Sequence, residues 1–278
     1  MKKPIKLLLQ IAICILPLLS GTTLSAQNFQ GYAVYESKIS LPAIEEEKFD
    51  NPNIDQATAD MINEQLKKGF EKTYTLTFDK NASLFKEQEK LEAKNPAFSI
   101  EIQTDDEGTY YKNIKEKKEI TEVEFFDKAF LITDSLTVIK WKLENETKKI
   151  GAYTCYKATA VIQHFEPEIK EGNDKKSNLL ESLPEKESKI TAWYTPDIPI
   201  GHGPSAFWGL PGLMLEVNDG QRVFLCSKVV LNPKEKIEIV VPKKGEKISR
   251  KKFNEVQQKK FEEMDEQDGG GGMMIIRP

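Results

Sequence analysis

Histidine is nearly missing from this chain: His164 and His202 are the two imidazoles among 278 residues. That scarcity excludes enzyme classes that need several imidazoles, and a Ser/His/Asp hydrolase would have to work with one of these two. Cysteine is almost as rare, with three. No Cys-x-x-Cys or His-Glu-x-x-His pair, Gly-x-Ser-x-Gly elbow, phosphate-binding loop or dinucleotide fingerprint occurs. A surplus of either charge is absent as well. Lys and Arg number 40 against 44 Asp and Glu, a net charge of −4, whereas a general nucleic-acid binder shows a basic surplus. Long apolar runs stop at residue 19, which excludes a polytopic membrane protein. What remains is 39% hydrophobic, enough to build a core, so wholesale disorder is excluded too.

The single apolar run opens the chain. Lys2, Lys3 and Lys6 precede Leu7 to Leu19, and the small, polar stretch Ser20 to Ala26 follows. This is the layout of a secretory signal peptide, with cleavage expected after Ala26. The run is shorter than the roughly 20 residues of a spanning helix, and Pro17 interrupts it. Cys14 lies inside the run rather than at the cleavage site, which argues against a lipid anchor. The expected product is periplasmic, with no membrane span after cleavage and no nucleic-acid partner. Cys155 and Cys226 survive in it. An oxidising compartment permits a disulfide between them, and closing so long a loop would stabilise by roughly 4 kcal/mol. Two buried free thiols are the alternative.

Period-two patterns dominate the rest. Strands are expected at Gly31 to Ile39, Thr73 to Phe78, Ala82 to Lys86, Ser99 to Gln103, Thr109 to Asn113, Glu119 to Phe126, Ala129 to Thr133 and Val138 to Leu143. Further candidates are Ile150 to Ile162 (the longest), Lys189 to Tyr194, Leu213 to Val217, Arg222 to Val230 and Ile237 to Val241. Asn218-Asp219-Gly220 reads as a hairpin turn. Helical spacing marks Ile54 to Phe70 and Arg250 to Glu266, and the charged stretch from Glu166 to Lys186 reads as a loop. The expected fold is mostly β, an antiparallel sheet that is either open or a half barrel, with one or two helices. It divides into a signal peptide (1–26), a β-rich envelope domain (27–248), and a charged helix with a Gly-rich tail (249–278). In that tail, Met273 to Ile276 follow four glycines and either dock as a strand on a sheet edge or fray.

The most constrained segment runs from Trp193-Tyr194-Thr195-Pro196 through Pro199, His202, Gly203-Pro204 and Phe207-Trp208 to Gly209-Leu210-Pro211-Gly212-Leu213-Met214. Its glycines and prolines demand special backbone shapes. The Pro211-Gly212 step suggests a type II turn with positive φ at Gly212. Trp193, Tyr194, Phe207 and Trp208 form either the lip of a binding site or a cap over the open end of a sheet.

This segment resembles the GLPGLI family of bacterial envelope proteins. The Gly209-to-Met214 run, Trp193-Tyr194-Thr195, Ile198-Pro199, Gly203-Pro204 and the earlier Gly151-Ala152-Tyr153-Thr154-Cys155-Tyr156-Lys157-Ala158 carry the likeness. Met214 stands where the family has isoleucine. The resemblance implies an exported, mostly β protein without an assigned activity, in some cases associated with outer-membrane receptors. It supplies no catalytic residue. At the level of fold alone, the strand order is reminiscent of half-barrel lipoprotein carriers of the periplasm. The expectation is a binding or accessory protein without cofactor or metal, holding an apolar, lipid-like small molecule or a partner such as an outer-membrane receptor. Its candidate site is Trp193, Tyr194, Pro199, Gly203, Pro204, Trp208, Gly209, Leu210, Pro211, Gly212 and Leu213. The alternatives are an envelope hydrolase using carboxylates or one imidazole, and a soft-metal binder.

Overall fold

The computed structural model describes residues 29–39, 55–61, 64, 71–88, 108–165 and 185–267. The signal-peptide segment, the strand expected at Ser99 to Gln103, nearly all of the loop at 166–186 and the Gly-rich tail lie outside the described residues. The protein is mostly β. Its strands are β1 (Gln30–Ile39), β2 (Thr73–Asp79), β3 (Ala82–Glu87), β4 (Thr109–Asn113), β5 (Lys118–Phe125), β6 (Lys128–Ser135) and β7 (Lys142–Ile150). They continue with β8 (Tyr153–Phe165), β9 (Glu185–Thr195), β10 (Leu213–Asn218), β11 (Arg222–Leu231) and β12 (Glu246–Ile248). All twelve join one sheet in the order β12-β6-β5-β4-β3-β2-β1-β11-β10-β9-β8-β7. Every pairing is antiparallel except β12 with β6. The sheet keeps two edges, so it is open rather than a closed barrel. A short helical segment occupies 56–61, and α1 (Arg250–Gln267) follows β12.

One buried cluster spans the sheet from Tyr110 of β4 through Phe85, Tyr74, Tyr35, Phe224 and Leu213 to Cys155 of β8. Its centre is aromatic: Tyr74 stacks on Phe85 at 4.7 Å, and Phe224 meets Phe85 edge-on at 5.8 Å. The alternation of β2, with Tyr74, Leu76 and Phe78 buried and their neighbours half-buried, puts those three side chains in this cluster.

Three expected strands come out differently. Ile150 to Ile162 is not one strand. Gly151-Ala152 turns the chain there, and the preceding Lys-Leu-Glu-Asn-Glu-Thr-Lys-Lys-Ile run forms edge strand β7. Residues 136–141 are irregular rather than a strand, because this stretch is tied to the Gly-Pro segment through Trp141 and Thr137. Ile237 to Val241 runs without strand partners across the β5–β6 face, where Ile239 packs with Ile120 and Leu131. On the opposite face, α1 buries Phe253 against Val123, Phe130 and Ile132, so the start of the charged helix lies on the sheet.

Candidate functional site

The Gly-Pro segment leaves β9 at Pro196 and re-enters the sheet at Leu213. Between them it folds inward as a strap. Ile198 and Ile200, 0% and 5% exposed, enter the aromatic core. Phe207 and Leu210 join a second cluster with Ala158, Ala160, Ile190, Ala192, Tyr194 and Met214. Within the strap, the Gly209 amide donates to Gly201 O, Leu213 to Ile198 O and Met214 to His202 O.

Long-range polar contacts fasten the strap to the sheet. Thr109-Tyr110-Tyr111-Lys112-Asn113 alternates so that Lys112 shares the inward face with Tyr110. Lys112 is 1% exposed, and its Nζ donates to the carbonyl oxygens of Gly203 (2.8 Å), Ser205 (2.6 Å) and Phe207 (2.7 Å). Burial pushes this ammonium down to about 7, partly opposed by Glu119. Its three N–H groups match three carbonyls that would otherwise be buried without partners. His202 is fully buried and bonds through Nε2 to the main-chain oxygen of Asp79 at 3.0 Å, at the end of β2. Burial, then the Lys112 charge, push it down to about 3, so the ring is neutral. Since Asp79 O can only accept, Nε2 carries the hydrogen and Nδ1 does not. Tyr35 Oη donates to Met214 O at 2.6 Å. The indole of Trp141 donates to Trp208 O at 2.8 Å, and that of Trp208 to Thr137 O at 2.7 Å.

The expected site residues therefore run from the end of β9 through the strap to the start of β10, in different surroundings. Tyr194, Pro204, Leu210 and Leu213 are buried, Pro199 and Pro211 face solvent, and Trp208 is half-buried. Half-buried Trp193 lies beneath the Lys148 ammonium at 4.4 Å, which also pairs with Glu216 at 2.6 Å. Gly209 has the positive φ, +98°. The turn expected at Gly212 is misplaced, since that residue has no positive φ. Gly212 is required because a Cβ there would lie 2.1 Å from Thr195 O. His202 is also not the solvated or locally bonded residue its Gly-flanked position suggests; its partner lies across the fold. His164 is half-buried on β8. Both thiols are free in this structure. Cys155 and Cys226 sit on β8 and β11, with β9 and β10 between them, yet border the same cluster. Burial pushes them up to about 11 and about 12.

A second place was not foreseen in the sequence. On the β5–β6 face that carries Ile120 and Leu131, residues 241–243, β12 and the first turn of α1 enclose an open groove of about 710 Å³. Ile120, Leu131, Val241, Pro242 and Ile248 give it an apolar lining. Lys118, Lys243, Lys247 and Lys252 line it as well, and among the described residues no carboxylate does. Among the described residues, no three His, Cys, Asp or Glu side chains come together as a metal-holding group.

Residues 141–216 match the model of a protein family of unknown function, Porph_ging. The match includes Gly151 to Ala158 and the strap. No curated protein matches the chain. Two crystal structures of PNGF-II are similar, in space groups C2 and P21, each at 15% identity. They cover 83% and 82% of this chain, with TM-scores of 0.44 and 0.45. The chain spans 32% of the length of each. No helix among the described residues is long and apolar enough to cross a membrane.

Proposed function

We propose that this is an exported binding or accessory protein that holds an apolar, lipid-like small molecule in the β5–β6 groove. The groove itself is the observation that carries the reading. Its volume of about 710 Å³ lies in the range of small-molecule sites, and Ile120, Leu131, Val241, Pro242 and Ile248 give it apolar surface beside Thr133, Ser249 and four lysines. Of the two imidazoles a hydrolase could use, the one in the strap sits elsewhere and in the wrong state. His202 is buried, neutral and bonded to a main-chain oxygen, whereas a general base needs access to a substrate proton. Export rests on the signal-peptide pattern at residues 1–26.

The test is mass spectrometry of the organic extract from protein purified out of the cell envelope. Val241→Trp, which fills the groove from an exposed wall position, is the control. The expected result is an apolar small molecule in the parent extract and its depletion from the variant. Matching extracts would sink the reading.

A further inference from the structure

We infer that the occupant of the groove is an anionic single-chain amphiphile, a long-chain carboxylate, with its head held by Lys118, Lys243, Lys247 and Lys252. The inference rests on the groove being a ligand site and adds the charge of the ligand. Four lysines are among the residues lining one open cavity in a chain whose net charge is −4. Acidic residues do occur close by, each with a partner other than the four lysines. Glu246 pairs with Lys128 at 2.7 Å. Glu122 accepts the Lys244 amide, and Glu124 pairs with the Lys244 ammonium. Asp134 caps the Arg250 amide at 3.1 Å. None of the four groove lysines has an ion-pair partner among the described residues.

Like charges around one cavity repel each other, and an anion relieves that repulsion. Two first-turn amides of α1 are already capped, Arg250 by Asp134 and Lys252 by Ser249 Oγ, and the lysine side chains add full charges for a carboxylate. Ile120, Leu131, Val241, Pro242 and Ile248 would cover an alkyl chain, to which an inorganic anion contributes nothing. Apolar lining and cationic groups in the same cavity thus select an amphiphile over either a neutral lipid or a free anion.

The experiment compares dodecanoate with dodecan-1-ol, titrated at low ionic strength into delipidated full-length protein, the Lys243→Gln/Lys247→Gln variant and Val241→Trp. The expected result is dodecanoate binding about tenfold tighter than the alcohol. That preference should shrink in the double-lysine variant and with added salt, since exposed charge contacts are individually weak and screened. Val241→Trp should weaken both ligands. Equal affinity for acid and alcohol would overturn the charge inference and leave the apolar reading standing. Failure of both to bind would overturn the two together. Dodecanoate binding that ignores the lysine changes would place the carboxylate elsewhere and overturn the assignment.

Discussion

The strap and the groove treat polar groups in opposite ways. Around the strap, the Lys112 ammonium, His202 Nε2 and the indoles of Trp141 and Trp208 are all committed to main-chain oxygens. Around the groove, four lysines stand exposed beside apolar side chains. The region with the most distinctive residues is the one that commits most of its polar groups to holding the chain together. The region with commonplace residues keeps free valence. A residue pattern that stands out marks a demanding backbone shape as readily as it marks a reaction.

The largest loss is expected where the strap packs most closely on the sheet. Gly212→Val should be the most damaging single change, about 4 kcal/mol or more, because a side chain at 2.1 Å from Thr195 O cannot be relieved by a rotamer. Denaturant unfolding measures it, and loss of soluble protein is the extreme outcome. A near-parental midpoint would mean that β9 and β10 separate freely at this point and that the strap is loosely held.

Lys112→Met comes next. It removes three hydrogen bonds and leaves the carbonyls of Gly203, Ser205 and Phe207 buried without a donor. Each orphan costs about 1–3 kcal/mol. Relief of the buried charge offsets part of that total. A net loss of roughly 3 kcal/mol is expected, with faster hydrogen exchange over residues 201–210. Unchanged exchange there would show that Ile198, Ile200, Phe207 and Leu210 hold the strap unaided.

His202 ties the stability of the strap to pH. Its folded value is about 3 against an ordinary 6.5, so between those limits the unfolded chain takes up a proton that the folded chain refuses. The contribution is fully present above pH 6.5 and is lost as pH falls toward 3, by up to about 1.4 kcal/mol per unit. Lys112 acts in the same direction in another window. Its folded value of about 7 lies below the ordinary 10.5, so stability rises with pH between the two. His202→Gln should flatten the acid limb of the stability–pH curve and leave the alkaline limb. An acid limb of unchanged slope would assign that loss to carboxylates instead.

Much of the fold was legible where strands alternate. β1, β2 and the β10–β11 hairpin announce themselves through period-two apolar residues and the Asn218-Asp219-Gly220 turn. β7 was hidden because an edge strand needs few apolar residues, and its charged run looks like a loop. Ile237 to Val241 misled in the other direction, since apolar alternation states that one face is covered and not that the backbone is paired. Lys112 left a faint signal: its parity with Tyr110 puts it inside, but nothing local shows that three distant carbonyls await it. The groove left none. Lys118, Lys243, Lys247 and Lys252 come together through the sheet order and the reach of residues 237–243, which no spacing encodes.

The smallest effect is expected on the groove side, and its sign is opposite. β5 and β6 meet at Phe125 and Lys128, leaving Phe126-Asp127 as a two-residue turn with φ of 47° and 58°. Two consecutive left-handed residues favour Asn-Gly, and each non-glycine residue there costs roughly 1–2 kcal/mol. Phe126 is retained by neighbours, with the Phe125 ring at 4.7 Å and the Lys260 ammonium at 5.3 Å. Asp127 is exposed. Asp127→Gly should therefore stabilise, by about 0.5–1 kcal/mol after the added freedom of the unfolded chain is subtracted. Glycine is present in the strap where only it fits, at Gly212, and is missing from the β5–β6 turn that would accept it. A calorimetric melting temperature that rises for Asp127→Gly and collapses for Gly212→Val would separate the two halves. A fall for Asp127→Gly would mean that the Asp127 side chain steadies the hairpin beneath the groove, and the contrast would fail at that turn.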